Sequence, residues 1–405
     1  VLRAAAELAV AANGLRPLAR DGYLTLPVFA LGWPTIELAP WLLSGSVLDG
    51  LRRARRGDFD GLFGRFALCG TVIAWILLWV VYRRGVRSEA VLDAALCTAL
   101  GPNYSHVPAI PGRRRGRPTG LLRTGRARRT YVEKTNTVRY GPHGRANTLD
   151  IWRRRDLPRD GRAPVLVHVP GGGWVLGWRR AQAYPLLSYL AACGWVCVSI
   201  DYRVSPVHSW PAHIVDVKQA LAWVKGNIAD AGGDPKFVAV AGESAGGHLA
   251  ALAALTPNDP SFQPGFADAD TSVVAAVPVY GRYDWFSTQG AGRKEFVAFL
   301  ERFVVKLRRA EEPQLFLDAS PVNRVHSDAP PFFVLHGRDD SVIPVAEARQ
   351  FAAALREASK SPVAYAELPG AQHAFDIFGS PRARHSAAAI ERFLAWVYGA
   401  SPANG

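Results

Sequence analysis

The chain has 405 residues, 49% hydrophobic and 20% charged, with a net charge of +14 and four cysteines. That is length for two or three domains, or for one large domain with an extension. So few cysteines exclude a disulfide scaffold. The positive charge is nearly all arginine and gathers at 52–56, 83–87 and 113–129. Because these clusters flank apolar sequence they read as membrane-flanking charge, not as a nucleic-acid surface.

Residues 24–48 are apolar but interrupted by Pro27, Pro34, Glu37 and Pro40. They form either a second, kinked span or an interfacial segment. Residues 66–82 carry no charge and are closed by Arg65 and by Arg83 and Arg84. As a helix they rise about 25 Å, near the ~30 Å hydrocarbon core. Trp75 and Trp79 share one face, and Trp79 and Tyr82 lie near an end, where interfacial aromatics sit. Residues 1–101 are therefore expected to be a membrane-associated region. The arginines between 52 and 65 outnumber those at 83, 84 and 87, which sets the 49–65 side in the cytoplasm and the C-terminal part outside. The arginines of 113–129 argue the other way. Residues 102–130, rich in Gly, Pro and Arg, read as a basic linker.

From 131 to 400 the pattern changes to short apolar strands alternating with helices. Strands are expected at 137–140, 148–152, 165–169, 196–202, 237–241, 273–279, 332–335 and 363–367. Helices are expected at 180–192, 212–229, 244–255, 295–309, 345–358 and 382–398. Continuous Val/Leu/Ile runs imply strands covered on both faces. That is an α/β domain with a mostly parallel, eight-stranded sheet flanked by helices, the first two strands forming an antiparallel edge.

Gly242-Glu243-Ser244-Ala245-Gly246 follows one apolar strand and opens an Ala/Leu-rich helix. A serine on such a turn sits in strained backbone with its hydroxyl outward, and the flanking glycines avoid clashes. After the strand at 165–169 comes Pro170-Gly171-Gly172-Gly173-Trp174. There the N–H groups of Gly172 and Gly173, with that of Ala245, form a candidate oxyanion hole. A serine needs a base, and the base needs an acid. Loops after later strands offer Asp340, with Asp339 as the rival acid, and then His373. The order Ser244, Asp340, His373 suits the architecture. The remaining histidines fit less well. His168 lies inside a strand, His248 one turn into the nucleophile helix, and His336 ahead of the acid. His208, His213, His326 and His385 sit in helix or loop contexts. Cys193 and Cys197 read as buried hydrophobes. Residues 262–317 are the place for a cap, where Trp285, Phe286, Phe296, Phe299 and Phe303 either line an acyl pocket or pack as core.

These residues resemble the α/β-hydrolase fold, and within it the esterase/lipase group similar to hormone-sensitive lipase and bacterial carboxylesterases. The resemblance covers 165–375. It is carried by Pro170 to Trp174, by Asp201-Tyr202-Arg203 with Trp210-Pro211-Ala212 and Asp216, by Gly233-Asp234-Pro235 with Gly242 to Gly247, and by His336-Gly337 with Asp340 and Gly370 with His373. Two positions depart from the pattern. Pro170 stands where the family has the histidine that helps shape the loop, and Glu243 stands where many members have aspartate. The resemblance implies hydrolysis of a carboxylic ester, including a lipid ester, through an acyl-enzyme, with no metal or organic cofactor. An amidase, formamidase or peptidase on the same triad, or a non-catalytic binding domain, remains open at this stage.

Overall fold

A computed structural model describes residues 1–19, 24–105, 124–287 and 293–400. Most of the expected linker, 106–123, and part of the expected cap, 288–292, lie outside the described residues.

Five helices come first: α1 (Leu2–Leu15), α2 (Thr25–Glu37), α3 (Ala39–Arg55), α4 (Gly61–Val86) and α5 (Ser88–Leu100). Pro34 lies inside α2 and Pro40 opens α3, so neither ladder can run through the junction, and the two helices meet at 82°. The helical run Gly61–Leu100 is long and apolar enough to cross a membrane; the bent α2–α3 pair is a second candidate if it counts as one span. Helices α1 to α4 share a small core of Ala11, Ile36, Ala39, Ala74, Leu78 and Val81. Gly50 of α3 lets the Trp75 ring of α4 lie where a Cβ would come within 2.6 Å of it.

The rest begins with α6 (Thr124–Tyr131), β1 (Val132–Arg139), β2 (Thr148–Trp152), β3 (Ala163–Val169), α7 (Tyr184–Ala192), β4 (Val196–Ile200), α8 (Ala212–Asn227), β5 (Gly233–Glu243) and α9 (Ala245–Leu255). It continues with β6 (Ala276–Val279), α10 (Arg293–Phe299), α11 (Pro313–Asp318), β7 (Phe332–Gly337), α12 (Val345–Ala358), β8 (Val363–Leu368) and α13 (Pro381–Gly399). The eight strands form one sheet in the order β1-β2-β4-β3-β5-β6-β7-β8. β2 is antiparallel to both β1 and β4, and every pairing from β4 onward is parallel.

Every residue of β3 is buried, as its unbroken apolar run requires. Its side chains alternate between two cores. Val165, Val167 and Val169 belong to one core with Leu221 of α8 and Leu249 of α9, while Leu166 belongs to the other with Leu187 of α7 and Phe393 of α13. Each such side chain contributes about 1.5–3 kcal/mol on burial. The second core also takes in Leu92 and Leu96, both fully buried. Thus α5, although within the segment expected to associate with a membrane, packs as a layer of the α/β domain. The expected helix at 295–309 also differs: the α-helix stops at Phe299 and continues as a π-turn over Leu300–Val304.

Candidate active site

Ser244 follows β5 directly and has φ +55°, ψ −118°, an unfavourable conformation for a residue with a Cβ. The close approach explains its glycines. A Cβ on Gly246 would lie 2.0 Å from the Val169 carbonyl oxygen, and one on Gly242 would lie 2.3 Å from that of Gly246. The turn therefore presses the nucleophile helix against the end of β3.

His373 lies on the loop after β8. Its Nε2 is 2.9 Å from Ser244 Oγ and its Nδ1 is 2.7 Å from Asp340 Oδ2. Asp340 follows β7, and its other oxygen accepts the N–H groups of Val342 and Ile343, each at 2.8 Å. Burial pushes the Asp340 carboxyl up, but the His373 charge and hydrogen bonds from His336 and His373 outweigh it and hold the carboxyl well below its usual range. The backbone N–H of Asp339, the rival acid, donates to the Ala371 carbonyl, 3.0 Å away, and it is Asp340 whose carboxylate meets His373 Nδ1. Gln372 ties the two loops together by accepting the N–H of Ser341 at 2.7 Å and that of His373 at 2.9 Å.

The residue after the base is also strained. Ala374 has φ +59°, in the left-handed region, where a Cβ costs on the order of 1–2 kcal/mol. On the other side of the imidazole, the Tyr280 ring centroid is 4.6 Å away. Tyr280 donates its hydroxyl to Asp376. Burial, reinforced by the Glu243 charge, pushes the Asp376 carboxyl up to about 8.

The glycine loop lies against the elbow: a Cβ on Gly171 would meet the Glu243 carbonyl oxygen at 2.6 Å. Gln182 accepts the Gly171 N–H at 2.8 Å, which removes that amide from use. Among the described residues no backbone or side-chain acceptor takes the N–H of Gly172 or Gly173. As first residue of α9, Ala245 has no intrahelical acceptor four residues back. Pro170, standing where a histidine was expected, accepts the Tyr202 hydroxyl at 2.9 Å. Trp174 clamps the loop to the nucleophile helix, donating its indole N–H to His248 Nδ1 at 3.2 Å. His248 in turn donates from Nε2 to the Ala319 carbonyl at 2.7 Å and stacks on Trp285. Burial pushes His248 down to about 3, so it stays neutral and structural. Phe299 reaches the space beside Gly173, whereas Trp285 is core.

Several neighbours gave no signal in the sequence. His168, set aside as a strand residue, puts Nε2 2.6 Å from Glu243 Oε2, so a buried His–Glu pair stands directly behind the nucleophile. More distant in sequence are Phe29 and Trp33 of α2. The Phe29 ring centroid is 6.2 Å from that of His373, and Trp33 donates its indole N–H to the Ala374 carbonyl at 2.7 Å. Among the described residues no cluster of three or more His, Cys, Asp or Glu is arranged to hold a metal ion.

A mostly parallel sheet with a serine on a strand-to-helix elbow defines an α/β-hydrolase. The comparisons with known proteins narrow the class. The family model described as BD-FAE matches residues 149–355, about half of the chain, and the chain belongs to that family. It is 50% identical to the "Probable carboxylic ester hydrolase LipM" of Mycobacterium tuberculosis, over 98% of this chain and 92% of that protein. It is 53% identical to "Esterase LipC" of the same organism, over 67% of this chain. Among solved structures, the butyrate-bound esterase Est2 of Thermogutta terrifontis superposes with a TM-score of 0.52 at 26% identity, covering 64% of this chain and 90% of that one. The protein is a carboxylic-ester hydrolase of the esterase/lipase type.

Proposed function

We propose that Ser244 is the nucleophile of this esterase, with His373 as its base and Asp340 as the acid. The observation that carries this reading is the unbroken file Ser244 Oγ, His373 Nε2, His373 Nδ1, Asp340 Oδ2, with steps of 2.9 and 2.7 Å. With its Nδ1–H donated to Asp340, the imidazole presents a bare Nε2 to the serine hydroxyl. Ser244 Oγ attacks the ester carbonyl as its proton passes to Nε2. The carbonyl oxygen becomes an oxyanion facing the N–H groups of Gly172, Gly173 and Ala245. Collapse breaks the bond to the alcohol, which leaves with the proton from Nε2. Water then repeats the cycle on the acyl-enzyme and releases the acid. Ser244→Ala is expected to lower kcat by ~10⁴-fold or more. Wild type should label with a fluorophosphonate and the variant should not. Equal turnover of 4-nitrophenyl esters by the two would overturn the assignment.

The N-terminal helices support a reading of substrate class and location. Phe63, Phe66, Ile73, Ile76 and Trp79 of α4 are each about half or more exposed, as are Leu24, Leu26, Leu31 and Trp41 in or beside α2. So many large apolar side chains left exposed on these helices are costly in water and favourable in lipid. Helices α1 to α4 anchor the enzyme at a membrane, with the α/β domain beside it and a lipid ester as the natural class of substrate. The excess of arginines at 52–65 supports an extracytoplasmic catalytic domain. Labelling intact and broken cells with a lipophilic phosphonate reads the side directly; labelling only in broken cells would reverse the orientation.

A further inference from the structure

We propose that Trp33, on the N-terminal helix α2, is a positioning residue for the base His373. This rests on the triad reading above and assigns a role in it to a residue outside the α/β sheet. The Trp33 indole N–H donates to the carbonyl of Ala374 at 2.7 Å across 341 residues of chain. Ala374 is the strained residue, at φ +59°, that turns the chain immediately after the imidazole. The only other partner given to that carbonyl among the described residues is the Ile377 N–H at 3.5 Å, a long contact. The indole therefore makes the short hydrogen bond to this carbonyl, and the local one within the turn is long.

The grip on this loop is repeated on both sides. Trp33 also packs on Phe378, with centroids 4.6 Å apart, and stacks on Phe29, which faces His373. Beyond it Glu37 accepts from Ser380 and pairs with Arg382 at 2.5 Å, all three buried. Before the imidazole, Arg84 of α4 fills the space where a Cβ on Gly370 would sit, its Cδ 2.9 Å away. The loop that presents the base is thus seated in the N-terminal helices, and Trp33 touches the one residue whose backbone most resists its place.

The test uses the full chain in detergent micelles. Trp33→Phe keeps the ring that packs on Phe29 and Phe378 and removes only the donor. It should lower kcat, per active site titrated with a phosphonate, by about tenfold. KM and the thermal midpoint should stay near wild type. The deciding measurement is rescue. Glycine adopts a positive φ without a Cβ penalty, so Ala374→Gly in the Trp33→Phe background should restore most of the lost kcat. A role confined to packing α2 would not respond to a change in the strain at 374. A kcat within twofold of wild type in Trp33→Phe would overturn the proposal, as would a deficit that Ala374→Gly leaves untouched. Ser244→Ala is run beside them. Turnover by that variant would reject the triad reading, whereas an inactive Ser244→Ala with a normal Trp33→Phe rejects the role of Trp33 alone.

Discussion

His168 and Glu243 illustrate how much of this site is decided by single buried groups. The imidazole is fully buried inside β3 and the carboxylate is 1% exposed at the end of β5, and the two strands pair in parallel. A carboxyl group so placed, beside Ser244, is costly unless a partner hydrogen-bonds it. His168 does so at 2.6 Å and is itself held by Ser199, 3.0 Å from Nδ1. Removing one partner strands the other. His168→Leu is therefore expected to destabilise the fold by about 1–3 kcal/mol. Replacing both residues with leucine should recover much of that loss, because a buried hydrogen-bonded pair is often no better than apolar packing of similar shape. Thermal midpoints of the single and double variants at fixed detergent check both statements. A single variant as stable as wild type would show that the pair carries little.

Among the elements, the central strands were the most legible in the sequence because burial on both faces leaves short continuous apolar runs, as in β3 and β4. All eight were expected, and β2 was expected at its observed bounds, Thr148–Trp152. The elbow was legible for a different reason: at 242 and 246 a Cβ would come within 2.0–2.3 Å of a carbonyl oxygen, so only glycine fits. The side chains around the elbow were not legible. His168, Gln182, Tyr280 and Trp33 act through contacts between distant segments, and none lies in a local pattern that departs from ordinary strand, loop or apolar helix. Lys218 is another such case. It is fully buried on α8 and reaches the C-terminal end of the nucleophile helix, bonding the carbonyls of Thr256 and, at 3.2 Å, Ala253. A cation there satisfies carbonyls that the end of a helix leaves open. Burial pushes the ammonium down to about 7. Between about 7 and the ordinary value of 10.5 the unfolded chain then binds more protons than the folded one, so this group makes stability rise with pH across that window. Lys218→Met should abolish that rise and, at pH 7, leave acceptors at the end of α9 unsatisfied at a cost of about 1–3 kcal/mol. Thermal midpoints from pH 6.5 to 10 measure it, and an unchanged slope in the variant would exclude Lys218 as its source.

At the scale of the whole molecule, the N-terminal helices and the hydrolase domain are joined through the active site. Trp33, Glu37 and Arg84 all bear on the segment from Gly370 to Arg382. Helix α5 goes further, since Leu92 and Leu96 belong to the core beneath β8 and α13. On the proposed membrane role, the division between anchoring helices and enzyme falls after α4, and the two possible truncations should behave differently. Removing residues 1–87 takes away the exposed apolar face of α4 while keeping α5. The product should leave the membrane fraction and stay folded, yet turn over esters at least tenfold more slowly, because the donor to Ala374 and the partner of Arg382 are gone. Removing residues 1–105 also opens the second core at Leu92, Leu96 and Tyr104. Losing two leucine-sized contacts there costs about 2–5 kcal/mol each, enough to consume the margin of an ordinary domain, and this product should aggregate. Carbonate extraction, circular dichroism and active-site titration on the three lengths read these outcomes. A full-length chain that washes off in salt and carbonate would remove the membrane role. A 1–87 deletion with undiminished kcat would show that the helices anchor the enzyme without shaping its site.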